Sequence, residues 1–281
     1  MEEPRSILKK EWKKSEEKLD IQNDNPKNGL VSYPLPSIQC GSHRLVTEIE
    51  LMVRQQAHKA RCNIDDKTLG WKVFLDDNDM KIYRCEEDIN GILCYPIKAY
   101  YTVCGITGFE LCHFFFTPKY RYDWDVLVDK MIVLEEIADD TLVFMQKYKK
   151  ICFSSQRDSV FWSHMRSLKD EDENNPDQWI VVNHSTEHPD YEAGSSKNVR
   201  VQLTVSLLCQ TIVKKSETDT DGVLTRDNVI CKLIYCASIN PGGWTSPALL
   251  KPFYKKEYPR FLKRLTTYAK SQTKNQSIRF D

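Results

Sequence analysis

Apolar residues recur along this chain at two periods, and the switches between those periods divide it into elements. Leu45, Ile49, Met52, Val53 and Gln56 fall at helical spacing, predicting a helix from about Ser42, and Gly70-Trp71 begins a different regime. The segments WKVFLD, MKIYRCE and IKAYYTVCG are short, rich in β-branched and aromatic residues, and separated by polar turns that include Asn90-Gly91. Three antiparallel strands are expected there. Two helices follow, Thr107 to Phe116 and Tyr122 to Val128, the first opening on Thr107-Gly108-Phe109-Glu110, which matches a capping box. Five long strand candidates come next: KMIVLEEIA, TLVFMQKYK, SVFWSHMRSL, QWIVVNHST and VRVQLTVSLLCQTIV. A sixth, VICKLIYCASIN, stops at Asn240-Pro241-Gly242-Gly243. Beyond Ser246, Leu250, Tyr254, Tyr258, Phe261, Leu265 and Tyr268 lay one apolar stripe along a closing helix. Pro252 suits its first turn, and Pro259 should bend it.

This order predicts an α+β domain over residues 41 to 281, one long antiparallel sheet covered by helices. So many strands around one long helix offer more inward surface than the helix can fill, so an interior tunnel is expected. Residues 1 to 40 read as a charged tail, with a run from Lys9 to Lys18, and a polar linker, NDNPKNGLVSYPLPS.

Composition narrows the function classes. The 281 residues carry 40 Lys and Arg against 40 Asp and Glu, a balance poorly suited to neutralising a row of phosphates, so nucleic acid is not an expected partner. The zero is partitioned: from residue 246 onward nine basic residues face two acidic ones, leaving the body before them acidic. A mean hydropathy of −0.53 and a start, MEEPRSILKKEWKK, without an apolar signal segment predict a soluble, cytosolic chain. Ten cysteines without a C-x-x-C pair are expected to be reduced fillers, and neither a metal nor another cofactor is expected.

Alternation along the strands groups Leu142, Phe144, Gln146 and Tyr148 on one face, Val181, Asn183 and Ser185 on another, and Leu233, Tyr235 and Ala237 on a third. Gln146, Asn183 and Tyr235 thus interrupt apolar or small-residue faces with neutral hydrogen-bonding groups. They either meet water, satisfy one another, or face a ligand; alternation alone leaves these open. Glu110 is explained equally by the capping box and by a ligand. The run His184-Ser185-Thr186-Glu187-His188 matches the H-x-x-E-H of a class of zinc proteases, but that motif needs a helix, and here it continues a strand and meets Pro189.

Longer runs are more specific. GITGFELCHFF, the RYDW segment, SSQRDSVFW, NNPDQWIVVN, TRDNVICKLIYCASINPGGW and KKEYPRFLKRLTTYAK follow one another as in a START lipid-transfer domain. From roughly His43 to the end the chain resembles the ceramide-binding members of that family. The resemblance implies the START helix-grip fold, a long curved antiparallel sheet with N- and C-terminal helices enclosing a lipid tunnel. It implies a carrier and not an enzyme, one that extracts a ceramide-like sphingolipid from one membrane and delivers it to another. A START carrier or sensor of a phospholipid or sterol is the alternative. By position, Glu110, Gln146, Asn183 and Tyr235 would hold the amide and hydroxyls of ceramide. The loop aromatics Phe153 and Trp244 would touch the membrane, Phe153 standing beside Cys152 where such members have a tryptophan. Transient contact with endoplasmic reticulum and Golgi membranes is also implied, although no PH domain or FFAT motif of the longer members is recognised in residues 1 to 40.

Overall fold

The computed structural model describes residues 43–64, 70–89, 91–150, 155–169, 177–214, 224–243 and 247–281. The charged run at 9–18, Cys152, Phe153 and Trp244 lie outside the described residues. Helix α1 (Val46–Arg61) precedes strands β1 (Lys72–Asp76), β2 (Met80–Arg84), β3 (Glu87–Ile89), β4 (Ile92–Cys94) and β5 (Ile97–Cys104). Helices α2 (Gly108–Phe116) and α3 (Pro118–Trp124) then carry the chain to the far edge of the sheet. From there β6 (Val128–Ala138), β7 (Thr141–Tyr148), β8 (Arg157–Ser167), β9 (Gln178–Ser185), β10 (Val199–Arg200), β11 (Gln202–Val213) and β12 (Val229–Asn240) lead back, and α4 (Pro247–Thr273) closes the domain.

The sheet order is β1-β2-β5-β12-β11-β9-β8-β7-β6, with β10 parallel to β8 and β3-β4 a separate hairpin. The returning strands meet the first three where β12 pairs with β5, Tyr235 opposite Ala99. The sheet is open, with β1 and β6 at its edges. Edge strand β6 is interrupted by three register shifts against β7, and the Tyr122 hydroxyl bonds both the N–H and the carbonyl of Met131 at 2.8 and 3.2 Å. Bulges and an occupied backbone blunt an edge that would otherwise template further strands.

Period-2 alternation gives the sheet two buried faces. The outer face meets α1, which buries Ile49, Val53, Ala57 and Ala60 and is pinned by polar contacts. Trp162 Nε1 donates to Glu48 at 2.8 Å, Arg166 to Glu50 at 2.8 and 3.0 Å, and Arg61 to Gln178 at 2.7 Å. Lys98, on the same face, donates through Nζ to the carbonyls of Lys59 and Cys62, placing a cation where the helix ends and its orphan carbonyls collect. The inner face meets α2, Trp124 and α4, with Phe144, Phe161, Val181, Leu207, Leu233 and Tyr235 packed against Leu111, Phe115, Leu262 and Leu265. Gly108 is required by closeness: a Cβ there would stand 3.0 Å from the Cys209 carbonyl oxygen, so α2 starts directly on β11. No helix among the described residues is long and apolar enough to cross a membrane.

One expectation needs correction. The second crossover helix runs from Pro118 to Trp124, not from Tyr122 to Val128, because Pro118 is pre-set for a first turn and Asp125 adopts extended backbone (φ −94°, ψ 92°). The apolar residues after it begin β6. Aromatic rings line the interior between α4 and the inner face of the sheet. Tyr258 and Phe261 of α4 stand 6.5 and 5.6 Å from Tyr235, Phe261 stands 5.2 Å from Trp124, and Tyr254 links Tyr258 at 5.2 Å to Tyr95 at 6.4 Å.

Candidate functional site

Strand register fixes which polar side chains share the inner face. Gln146 of β7 lies opposite Ser159 of β8, Asn183 of β9 lies between Ser163 of β8 and Val205 of β11, and Tyr235 of β12 lies between Leu207 and Ala99. All three of the strand positions singled out in the sequence face inward. They are buried, Gln146 at 3%, Asn183 at 7% and Tyr235 at 4% exposure. The Gln146 Oε1 and Asn183 Oδ1 atoms are buried without a hydrogen-bond partner among the described residues. An orphan of this kind costs on the order of 1 to 3 kcal/mol and calls for an explanation in a folded protein.

A charged pair stands over this face. Arg121 near the end of α3 donates to the Asp125 carboxylate at 2.9 Å, both side chains buried, and Asp125 also accepts from the Leu127 N–H at 3.2 Å. The guanidinium packs 4.6 Å from the Trp124 ring centre and 5.2 Å from that of Phe115. Burying such a pair is expensive unless its geometry is good and its remaining hydrogen-bonding positions are filled. Here Arg121 Nε and the neighbouring Trp124 Nε1 are also buried without acceptors among the described residues. Arg121 and Asp125 act electrostatically on the hydroxyls of both Tyr148 of β7 and Tyr235 of β12. Burial pushes the Tyr148 hydroxyl up to about 12, against a smaller opposite effect from its hydrogen bond with Ser159. Burial raises Tyr235 further still, so both phenols keep their protons as donors.

Glu110 is engaged elsewhere. Its carboxylate accepts from the Thr107 N–H at 3.1 Å, completing the capping box. It also accepts from both terminal nitrogens of Arg226 at 3.0 and 2.9 Å, and from the Arg279 N–H at 3.2 Å. It acts on Cys231, four residues before Tyr235, on the order of 13 Å along the strand. The structure therefore gathers Gln146, Asn183 and Tyr235 on one face, and the carboxylate that acts on Tyr235 is that of Asp125. Arg121 and Asp125 were missed because their i,i+4 spacing reads as an ordinary surface pair. The available signal was their position among Phe115, Phe116 and Trp124.

The zinc-like run disperses. His184 lies on β9 with its Nδ1 2.8 Å from Thr204 Oγ1, while His188 precedes a 3₁₀ turn with its Nε2 3.6 Å from Glu135. No group of three or more potential ligands that could hold a metal occurs among the described residues. Cys112, Cys209 and Cys231 are buried free thiols, and the last two are held protonated, Cys209 mainly by burial and Cys231 first by its hydrogen bond with Cys209.

An antiparallel sheet that grips a C-terminal helix over a polar arc in a greasy interior is a carrier architecture, and the chain belongs to the START domain family, whose pattern matches residues 61–275. Among curated relatives it is 34% identical over 270 residues to the ceramide transfer protein of Cricetulus griseus, covering 94% of this chain and 44% of that protein. It is also 34% identical over 253 residues to the ceramide transfer protein of Homo sapiens, covering 90% of this chain and 40% of that one. The chain thus spans less than half the length of the curated relatives it matches. Human StAR-related lipid transfer protein 5 superposes with a TM-score of 0.62 at 15% identity, covering 82% of this chain and 97% of that one, a likeness of fold.

Proposed function

We propose that this START domain carries one ceramide-like lipid at a time through water, between membranes such as those of the endoplasmic reticulum and Golgi, and performs no chemistry on it. The observation that carries this reading is the pair of orphaned carbonyl oxygens, on Gln146 and Asn183, beside a buried carboxylate and a protonated phenol. Ceramide offers two hydroxyls and an amide without a phosphate. Hydroxyl and amide protons satisfy Gln146 Oε1, Asn183 Oδ1 and the Asp125 carboxylate, while Tyr235 donates to a lipid oxygen. In this reading Asp125 takes the head-group role that the resemblance assigns to Glu110.

The acyl chains need a dry channel, since each buried CH2 contributes roughly 0.8 kcal/mol. The rings of Tyr254, Tyr258 and Phe261 on α4 stand against the inner face beside Tyr235 and Tyr95, so in this reading uptake requires the first half of α4 to swing out. Pro252 and Pro259 lie inside the helix, and each removes a backbone donor there, which favours such a motion. Phe153 and Trp244 are assigned, as a proposal, to the membrane interface during this step, where amphipathic rings are favoured. Non-enzymatic action fits the inner arc, where the buried thiols of Cys209 and Cys231 are protonated.

The test is extraction of labelled ceramide from vesicles, followed by mass spectrometry of the lipid bound. Asn183→Ala and Asp125→Asn should each reduce extraction about tenfold or more. Unchanged extraction by both variants would remove the head-group assignment, and a co-purifying phospholipid or sterol in place of ceramide would favour a carrier or sensor of those lipids.

A further inference from the structure

We infer that Glu110 and Arg226 form a clasp on the C-terminal tail that anchors the far end of α4, making Glu110 a positioning residue for lipid transfer and not a head-group contact. The inference rests on the reading of α4 as the element that moves for uptake. Its observations are independent of any lipid.

Helix α4 ends at Thr273, and the eight residues after it turn back onto the body. Arg226, in the 3₁₀ turn Arg226–Asn228, donates to the Gln276 and Ser277 carbonyls at 3.1 and 3.2 Å, and to the Gly105 carbonyl at 3.2 Å. The cation thus meets the tail just beyond the negative end of the helix dipole. Glu110, at 3% exposure, fixes that guanidinium with a two-point bond and accepts the Arg279 N–H with the same carboxylate. Thr107 Oγ1 donates to the Arg279 carbonyl, Trp179 Nε1 donates to the Phe280 carbonyl at 3.1 Å, and the Arg279 guanidinium lies 4.8 Å from the Phe109 ring centre. A pocket of about 460 Å³ lies alongside, bounded by Leu224, Arg226, Lys274 and Phe280, so hydrogen bonds more than packing hold the tail.

The mechanical consequence is an asymmetric helix. The half of α4 nearest residue 247 carries both prolines, each of which removes a backbone donor. The opposite end is tied through the clasp to the start of α2, to β9 and to the turn before β12. Opening therefore pivots about the tail, and α4 returns to the same register after each transfer. Without the clasp the whole helix loosens, and lipid both enters and leaves faster.

Glu110→Gln keeps the side-chain shape and removes the charge. In the full chain, amide exchange of residues 276–281 should rise about tenfold without any lipid present. Ceramide uptake and release rates should rise together, leaving the equilibrium affinity close to wild type. A purely structural defect would instead lower the active fraction at unchanged rate constants. Removal of residues 274–281 should reproduce these rates, and Glu110→Gln added to that truncation should change nothing more. The clasp is overturned if tail exchange is unchanged, or if Glu110→Gln lowers ceramide affinity equally in the intact and truncated chains, which would make Glu110 a lipid contact. Should Glu110→Gln not fold, Arg226→Lys keeps the charge and loses the two-point geometry, and the same exchange result is required of it. A wild-type chain that transfers no ceramide would defeat the carrier reading while leaving the tail-exchange measurement interpretable by itself.

Discussion

Gln146 and Asn183 bury carbonyl oxygens without donors, a defect for stability that becomes an asset on binding. Asn183→Leu, which keeps the branched shape with apolar methyl groups in place of the amide, should therefore raise the stability of the lipid-free protein by about 1 to 2 kcal/mol. Calorimetry should show the midpoint about 2 to 4 °C higher, with ceramide extraction lost. A lower midpoint would mean that the amide is satisfied and that its orphan oxygen is not reserved for a ligand. His164 makes a second prediction, on the outer face. Burial depresses its pKa from 6.5 to about 4, with Asp140 and Glu50 acting upward and Arg166 downward, and Thr141 Oγ1 lies 2.7 Å from its Nδ1. The unfolded chain takes up this proton near pH 6.5 and the folded chain only near pH 4, so stability falls as pH drops through that window. His164→Asn should flatten the urea-derived stability profile between pH 6.5 and 4, removing up to about 3 kcal/mol of its fall. A slope equal to wild type would place its titration elsewhere. At this scale the sequence was partly legible. Alternation marked Gln146, Asn183 and Tyr235 as odd because a strand's period is unambiguous. Asp125 was hidden because its role depends on where α3 stops, the kind of boundary that pattern fixes least well.

The elements themselves were mostly written in the hydrophobic periods, and the misses have local causes. Strands β3 and β4 have three residues each, too few for a period to show, although the Asn90-Gly91 turn between them was legible and Gly91 adopts φ +77°. Helix α1 was found from its spacing, which includes Gln56, but period could not say that its buried side includes Glu50, because a buried acid is decided by a partner distant in sequence. That partner is Arg166, 116 residues away. Removing one member of a buried pair leaves the other uncompensated, so Arg166→Met should destabilise by about 3 to 5 kcal/mol, while Arg166→Met with Glu50→Leu should recover most of the loss. Denaturant unfolding of the two variants tests this; equal destabilisation would mean that the loss comes from the missing Arg166 contacts and not from a stranded Glu50 charge. The turn into α4 is constrained in another way. Gly242 has φ +65° and an added Cβ would meet the Arg200 carbonyl oxygen at 2.3 Å, so β10 and the turn before the mobile helix are fitted to one another.

Charge acts at the scale of the whole chain. A neutral total resolves into an acidic body and a C-terminal segment with nine basic residues against two acidic ones. Part of that excess is neutralised where it stands: Lys251 pairs with Glu86 at 3.1 Å, Lys263 with Asp77 at 3.3 Å, and Arg264 with Glu257. Lys255, Lys256, Arg260, Lys270 and Lys274 are exposed and have no ion-pair partner among the described residues. Lys256, Arg260, Lys263 and Lys270 follow at gaps of four, three and seven, so they share one face of α4 turned away from the apolar stripe, with Lys274 just past its end. Near an anionic bilayer each such cation contributes on the order of 1 kcal/mol, an attraction that reaches only about a Debye length, some 8 Å at physiological salt. Such an attraction is short in range and weakened by salt, as suits a carrier that must leave as readily as it arrives. Sedimentation with vesicles containing phosphatidylserine should show binding that weakens from low to physiological salt, and much less dependence with neutral vesicles. The double reversal Lys256→Glu with Arg260→Glu should abolish the salt dependence and most of the binding to anionic vesicles, while ceramide affinity in detergent stays near wild type. Salt-independent binding by the wild type would instead reduce the stripe to a solvated face and leave membrane attachment to apolar loops alone.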